Sequence, residues 1–120
     1  MKTVMADIVR SAAFLVPVLA ALLPDHASAV WLDCQLDYGM SSRASDQGTV
    51  IEVFNDTRRD LHLYWMNFDG APEHYATIQS GDVYSQQTYQ YHVWMVTYLS
   101  GDCRNMFRVD VPDEFFRLHE

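Results

Sequence analysis

The chain has 120 residues, of which 49% are hydrophobic and 13% aromatic, so its length and composition suit one domain with a packed core. Its formal net charge at pH 7 is -8, with 16 acidic side chains against 8 basic ones. This negative field repels phosphate backbones and anionic lipid, which excludes nucleic acid and membrane surfaces as expected partners. The acidity is most simply a source of solubility.

The first 29 residues have the features of a cleavable signal peptide. Lys2 and Arg10 flank the start of an apolar run over 12–23, and the Ala-Ser-Ala segment at 27–29 supplies the small residues of a cleavage site. The run is about 12 residues long, whereas a spanning helix needs ~20, so we predict cleavage before Val30 rather than anchorage. The expected location is secreted, extracellular or periplasmic. An amphipathic or membrane-retained N-terminus is the alternative.

Both cysteines, Cys34 and Cys103, lie in the part of the chain that we expect to be exported. A disulfide between them suits an oxidising compartment. Closing a loop of about 70 residues would stabilise the fold by roughly 4 kcal/mol through reduced chain entropy. Because the chain has no CxxC motif and no paired histidines near either cysteine, we expect no metal site and no cofactor.

Short strands and turns alternate at intervals of about ten residues from residue 48 onward. The polar loop 39–48 follows a short apolar segment at 31–36. The pattern predicts an all-β domain, a small antiparallel β-sandwich or barrel. The expected strands are 49–54, 61–67, 75–79, 83–89, 92–98 and 105–109.

Four regions follow from this pattern along the chain. The signal peptide covers 1–29, and an N-terminal extension and loop cover 30–47. The β domain covers 48–112, and a C-terminal tail covers 113–120. No internal repeat or interdomain linker interrupts this order.

Alternation along the strands places the aromatic and imidazole side chains on definite faces. Trp65 shares a face with Leu61 and Leu63, and His92 shares a face with Trp94. On periodicity alone, both tryptophans are more typical of a core than of a binding site, and a histidine beside them is more typical of packing than of ligand contact.

Six segments give the chain a family resemblance. Residues 43–111 resemble the β-domain family of the von Hippel-Lindau tumour suppressor, in its compact exported form. The resemblance implies an antiparallel β-sandwich of about seven strands. The matching segments are Val53-Phe54-Asn55, the Tyr-Trp-Met-Asn-Phe-Asp-Gly run at 64–70, Tyr-Ala-Thr-Ile at 75–78, Gly81, Gln-Thr-Tyr at 87–89 and His-Val-Trp at 92–94.

That family binds a peptide carrying 4-hydroxyproline, laid along the domain in an extended form. The resemblance implies that Trp65, Tyr75 and Trp94 form aromatic walls around the pyrrolidine ring. It also implies that the Tyr75 phenol meets a peptide carbonyl and that Tyr89 flanks the groove.

The resemblance also implies that Thr88 and His92 form hydrogen bonds with the ligand hydroxyl. Apolar enclosure suits the CH₂ groups of the ring, and burying its hydroxyl without a partner would cost ~1 to 3 kcal/mol. A site that pairs this hydroxyl therefore rejects plain proline, which leaves the polar groups of the site unsatisfied.

The chain departs from the family pattern in three places. Thr88 stands where the tumour suppressor has serine and adds a methyl group, and Gln87 stands where it has histidine. The helical domain that recruits elongin C has no counterpart in this sequence. We therefore expect neither elongin C as a partner nor a role as a ubiquitin-ligase adaptor.

Asn55, Asp56 and Thr57 match an N-glycosylation sequon. The family counterpart of Asn55 is a structural asparagine at a strand end, where it bonds the backbone of the following turn. We prefer this structural role for Asn55.

These features predict a secreted, non-enzymatic binding module for an extended peptide with hydroxyproline or proline. The second interpretation is structural, with the aromatic cluster serving as the core of an envelope or secreted stability module. A hydrolase is a minor alternative because catalytic triads assemble in space. However, the sequence contains no nucleophile elbow and no phosphate loop. The oligomeric state stays open.

Overall fold

A computed structural model describes residues 30–34 and 40–120, which form eight β-strands and no helix. The predicted signal peptide at 1–29 and part of the predicted extension at 35–39 lie outside the described residues. No helix long and apolar enough to cross a membrane occurs in the described part of the chain. The strands are β1 (Val30–Leu32), β2 (Gly48–Asp56), β3 (Leu61–Met66), β4 (Pro72–Ile78), β5 (Val83–Tyr89), β6 (Val93–Tyr98), β7 (Cys103–Arg108) and β8 (Phe115–His119).

The strands form two sheets. The first has the order β1-β7-β6-β3-β4 and is antiparallel throughout. The second has the order β5-β2-β8, in which β2 pairs antiparallel with β5 and parallel with β8. The all-β prediction is confirmed for the described residues, which have eight strands where about seven were expected. The parallel pairing of β2 with β8 departs from the predicted antiparallel arrangement.

Strand β8 lies in the segment that the sequence analysis assigned to a tail. Phe116 and Leu118 point into the core, while Phe115 is exposed. The chain crosses from β7 in one sheet to β8 in the other through 109–114. A crossover does not impose the antiparallel direction that a tight hairpin imposes. The crossover therefore allows β8 to pair parallel with β2.

Apolar side chains from both sheets meet in one core. The rings of Phe107 on β7 and Phe116 on β8 stack with their centroids 3.9 Å apart. Trp31 packs edge-on against both rings, at 5.8 and 5.6 Å. The buried members are Ile51, Val53, Leu61, Leu63, Ile78, Trp94, Val96, Phe107, Val109, Phe116 and Leu118.

A second apolar cluster covers the outer face of the five-stranded sheet. It consists of the buried side chains Met66, Val93, Met95 and Met106, with Leu32, Met40, Tyr64 and Cys103 packed against them. Cys103 is disulfide-bonded to Cys34, with 6.0 Å between their Cα atoms. The predicted disulfide is therefore confirmed, and it ties the segment after β1 to β7.

Several strand boundaries differ from the predictions, and two of these differences have local reasons. Strand β4 begins at Pro72, before the predicted start at residue 75. Proline is tolerated there because β4 is an edge strand, where one side of the backbone needs no partner. Residue His92 precedes β6 instead of belonging to it. Tyr91 has a φ of 74°, in the left-handed region, which ends the preceding pairing in a turn.

Asn55 ties the end of β2 to two neighbouring segments. Its Nδ2 donates to the carbonyls of Arg59 and Ile78, at 2.7 and 2.9 Å. Its Oδ1 accepts from the backbone N–H and the hydroxyl of Thr57, at 3.1 and 2.7 Å. The side chain is fully buried. Because Nδ2 is the atom that would carry a glycan, the folded domain has no accessible acceptor at this sequon.

We expect Asn55→Ala to lower the free energy of unfolding by about 3 kcal/mol, because it leaves buried carbonyl and N–H groups without partners. Urea denaturation of the disulfide-bonded chain measures the change. Asn105→Ala is the matched control, since the half-buried Asn105 side chain accepts one bond from Arg104. A loss for Asn55→Ala no larger than that of the control would contradict the structural role.

Candidate functional site

A surface cleft of about 400 Å³ lies between β4 and β5, which are edge strands of different sheets. Trp65 on β3 and Tyr75 on β4 come from the five-stranded sheet, and Thr88 on β5 comes from the other. The structure brings all six predicted ligand-binding residues together in this cleft; their part in binding stays a prediction. They are Trp65, Tyr75, Thr88, Tyr89, His92 and Trp94.

Aromatic rings form the base and one side of the cleft. Trp65 and Trp94 are cross-strand partners of β3 and β6, so both indoles lie on the same face of the sheet. The Tyr75 ring meets Trp94 edge-on at 5.1 Å and Trp65 at 6.3 Å. Trp94 is 1% exposed and belongs to the core, whereas Tyr75 is 44% exposed. The expectation of core packing therefore holds for Trp94, whereas Trp65 is half-buried and packs against the core from its edge.

The Trp65 indole sets the tautomer of His92. Its Nε1–H donates to Nδ1 of His92 at 3.1 Å. Because an indole nitrogen only donates, Nδ1 is the unprotonated nitrogen and the ring proton lies on Nε2. Among the described residues Nε2 makes no hydrogen bond, and it is not sealed from solvent. His92 therefore offers a free N–H donor.

The Trp94 indole holds Thr88 in the same manner. Its Nε1–H donates to the Thr88 hydroxyl oxygen at 3.1 Å, and the Thr88 side chain is buried. This contact uses one of the two lone pairs of the oxygen. The hydroxyl proton and the second lone pair remain for another group. Thr88 and His92 are thus two oriented polar groups among aromatic rings.

Burial lowers the pKa of His92 below its ordinary value of 6.5. Protonation would also place a proton on Nδ1 opposite the N–H of Trp65, so the existing hydrogen bond opposes it. The ring is therefore neutral at neutral pH. No Asp, Glu, Lys or Arg side chain lines the described cleft. Such a site suits an uncharged ligand group with one hydrogen-bonding function.

Two turns hold the side chains at the mouth of the cleft. In the turn after β5, the His92 N–H donates to the Tyr89 carbonyl at 3.1 Å, and the Tyr89 and His92 rings lie 5.4 Å apart. In the turn after β3, Oδ1 of Asn67 accepts from the backbone N–H of Asp69 and of Ala71, both at 2.9 Å. The second turn positions the Phe68 side chain at the edge of the cleft.

Three lining residues were not among the predicted ligand contacts: Phe68, Gln86 and Gln87. Phe68 meets the rings of Trp65 and His92 edge-on at 5.2 and 5.6 Å. Its place in the matched segment 64–70 was the available signal, but strand alternation gives no direction for a turn residue. Gln86 shares the inward-facing alternation of Thr88 on β5, so the strand period could have identified it.

A larger cavity, of about 610 Å³, lies on the other side of the turn after β5. Leu32, Met40, Tyr91 and Arg108 are among its lining residues, and Arg108 is paired with Asp110 at 2.7 Å. Residues 35–39, next to Met40 in the chain, lie outside the description. We therefore assign no ligand to this cavity.

Comparison with known proteins supports one family. No curated protein matches the chain. The family model described as the VHL beta domain matches residues 40–110, a range that spans β2 to β7 and all six predicted ligand-binding residues. This match covers more than half of the sequence and confirms the resemblance found in its motifs. The chain belongs to the VHL beta domain family.

Proposed function

We propose that this protein is a non-enzymatic binding module for an extended peptide that carries 4-hydroxyproline. In this proposal the two sheets form the β-sandwich of the family. The observation that carries it is the pair of polar groups, Thr88 and His92, each held by an indole N–H beside aromatic rings. A pyrrolidine ring needs apolar walls, and its hydroxyl needs a donor and an acceptor.

The donor pattern of the cleft complements a hydroxyl group. His92 presents an N–H donor, so it can bond the ligand oxygen. The Thr88 oxygen keeps one lone pair, so it can accept the ligand proton. Plain proline would leave both groups without a partner, which disfavours its binding. The Thr88 methyl group, absent from the family serine, narrows the space beside the ring.

The free strand edges beside the cleft suit an extended peptide. Strands β4 and β5 end their sheets, so each leaves one row of backbone N–H and C=O groups unpaired within its sheet. An extended segment can add to such an edge through main-chain hydrogen bonds, while a pocket reads one side chain. Tyr75 on β4 is exposed beside the cleft and offers its phenol to a peptide carbonyl.

The proposal includes export. The signal-peptide features of 1–29 support it, and the Cys34–Cys103 disulfide suits an oxidising compartment. Prolyl-hydroxylated proteins outside the cell would be ligands that such a module can meet.

Burial of the cleft base favours one alternative, a structural module whose aromatic cluster only stabilises the fold. Trp94, Thr88 and His92 are 1%, 2% and 7% exposed. On this alternative the two indole hydrogen bonds satisfy buried polar groups and serve no ligand. Peptide binding and a purely structural role need the same contacts, so a binding experiment must distinguish them.

We expect the domain to bind a hydroxyproline peptide at least tenfold more tightly than the matched proline peptide. Only the hydroxyproline hydroxyl can form hydrogen bonds with the Thr88 hydroxyl and the His92 imidazole. Titration calorimetry with the two peptides measures the ratio. Thr88→Val should remove most of this preference, whereas Thr88→Ser, which keeps the hydroxyl, should retain it.

The stability of each variant separates binding from folding. Thr88→Val also leaves the Trp94 N–H without an acceptor, so its folding is checked by near-ultraviolet circular dichroism before titration. Equal affinities for the two peptides in the wild-type chain, or no binding of either, would overturn the proposed function and leave the structural module.

A second prediction concerns pH. Because burial lowers the folded pKa of His92, the unfolded chain binds more protons below 6.5. The stability associated with neutral His92 is complete above 6.5 and is lost as pH falls below that value toward the lowered folded pKa. We expect wild type to lose more stability than His92→Gln between about pH 7.5 and about pH 5.5, as measured by urea denaturation.

Comparison with the variant isolates His92 from other groups. Burial raises the pKa of Glu114 above its ordinary value of 4.5, so this carboxyl favours the folded state as pH falls. Both chains contain Glu114, and its contribution cancels in their difference. The same loss of stability in both chains would contradict a neutral, buried His92.

A further inference from the structure

Three potential metal ligands meet on the face of the β3–β4 hairpin that points away from the cleft. His62 is on β3, and His74 and Thr77 are on β4. Strict alternation would place residues 74 and 77 on opposite faces. A register shift between Leu63 and Tyr64 brings both beside His62.

The separations of their polar atoms suit one metal ion. Nδ1 of His62 lies 3.2 Å from Nε2 of His74 and 2.8 Å from Oγ1 of Thr77. Nε2 of His74 lies 3.3 Å from the same oxygen. A point about 2.1 Å from all three atoms, the length of a metal–imidazole bond, lies about 1 Å outside their plane. The two nitrogens subtend about 100° there, close to a tetrahedral angle.

The arrangement of the two rings differs from that of a linear hydrogen bond between them. The centroids of His62 and His74 are 4.9 Å apart with the ring planes at 83°. A linear N–H···N hydrogen bond of the observed length would separate them by about 5.5 Å. The shorter separation means that this contact is bent, so the two in-plane lone pairs do not point straight at each other. Tyr64 packs edge-on against both rings, at 6.0 and 5.3 Å, and restricts their rotation.

We propose that His62, His74 and Thr77 bind a divalent late first-row transition ion, with Cu²⁺ the most tightly held. Imidazole is a ligand for Zn²⁺, Ni²⁺ and Cu²⁺, and affinity at a given site rises to a maximum at Cu²⁺. In the part of the chain that the structure describes, no three side chains of His, Cys, Asp or Glu converge. The proposed site therefore has two imidazole ligands, and the Thr77 hydroxyl is its third ligand.

Exposure and charge determine the character of the site. His74 and Thr77 are exposed, so water can complete the coordination of the ion. The net charge of -8 raises the local concentration of cations around the chain. The site is independent of the proposed peptide cleft, because Trp65 and Tyr75 lie on the other face of the same two strands.

Titration of the disulfide-bonded chain with CuCl₂ tests the site. We expect a saturable equivalent of Cu²⁺ whose electron paramagnetic resonance spectrum shows coupling to two imidazole nitrogens. His74→Gln and His62→Gln should each weaken this binding at least tenfold and leave coupling to one nitrogen from the site. His119→Gln is the matched control, because His119 is exposed on β8 of the other sheet and should leave binding unchanged.

The results distinguish a metal site from a hydrogen-bonded cluster. Without metal, the Thr77 hydroxyl can donate to His62 and accept from His74, which satisfies the same atoms. Near-ultraviolet circular dichroism confirms that each variant is folded before titration. Equal Cu²⁺ affinity in wild type, His62→Gln and His74→Gln would overturn the proposal, as would the absence of binding to the wild-type chain. Neither result would affect the peptide proposal.

Discussion

Two indole N–H groups beside the core impose the constraint on which the cleft depends. An indole nitrogen can only donate, so Trp65 and Trp94 each require an acceptor. Nδ1 of His92 and Oγ1 of Thr88 provide them. Satisfying the indoles leaves the other imidazole nitrogen as a donor and the threonine oxygen with one free lone pair. The packing of the domain therefore determines the hydrogen-bonding pattern of its candidate site.

The cleft also depends on where each sheet ends. Trp65, Trp94 and Tyr75 come from the five-stranded sheet, while Thr88 comes from β5 in the other sheet. A shared core, including the stacked rings of Phe107 and Phe116, holds these sheets together. The edges of β4 and β5 stay free beside the pocket. One arrangement thus provides apolar walls, oriented polar groups and backbone edges for an extended ligand.

The β3–β4 hairpin presents different chemistry on its two faces. Trp65 and Tyr75 face the cleft, and the opposite face carries His62 and His74. The register shift after Leu63 is the local cause, because it changes which β4 residues share a face. Alternation along β3 places His62 and Trp65 on opposite faces. It could not predict the meeting of His62 with His74, which depends on the bulge and on pairing between strands.

Sequence alone determined the all-β class, most strand positions, the disulfide and the family, since hydrophobic periodicity, turn residues and motif spacing are local properties. It also identified six residues of one cleft through the family resemblance. Tertiary structure decided the parallel pairing of β8, the inclusion of Phe68 in the cleft and the tautomer of His92. Each of these depends on contacts between segments distant along the chain or on the conformation of a turn, and neither is encoded in the period of a single strand.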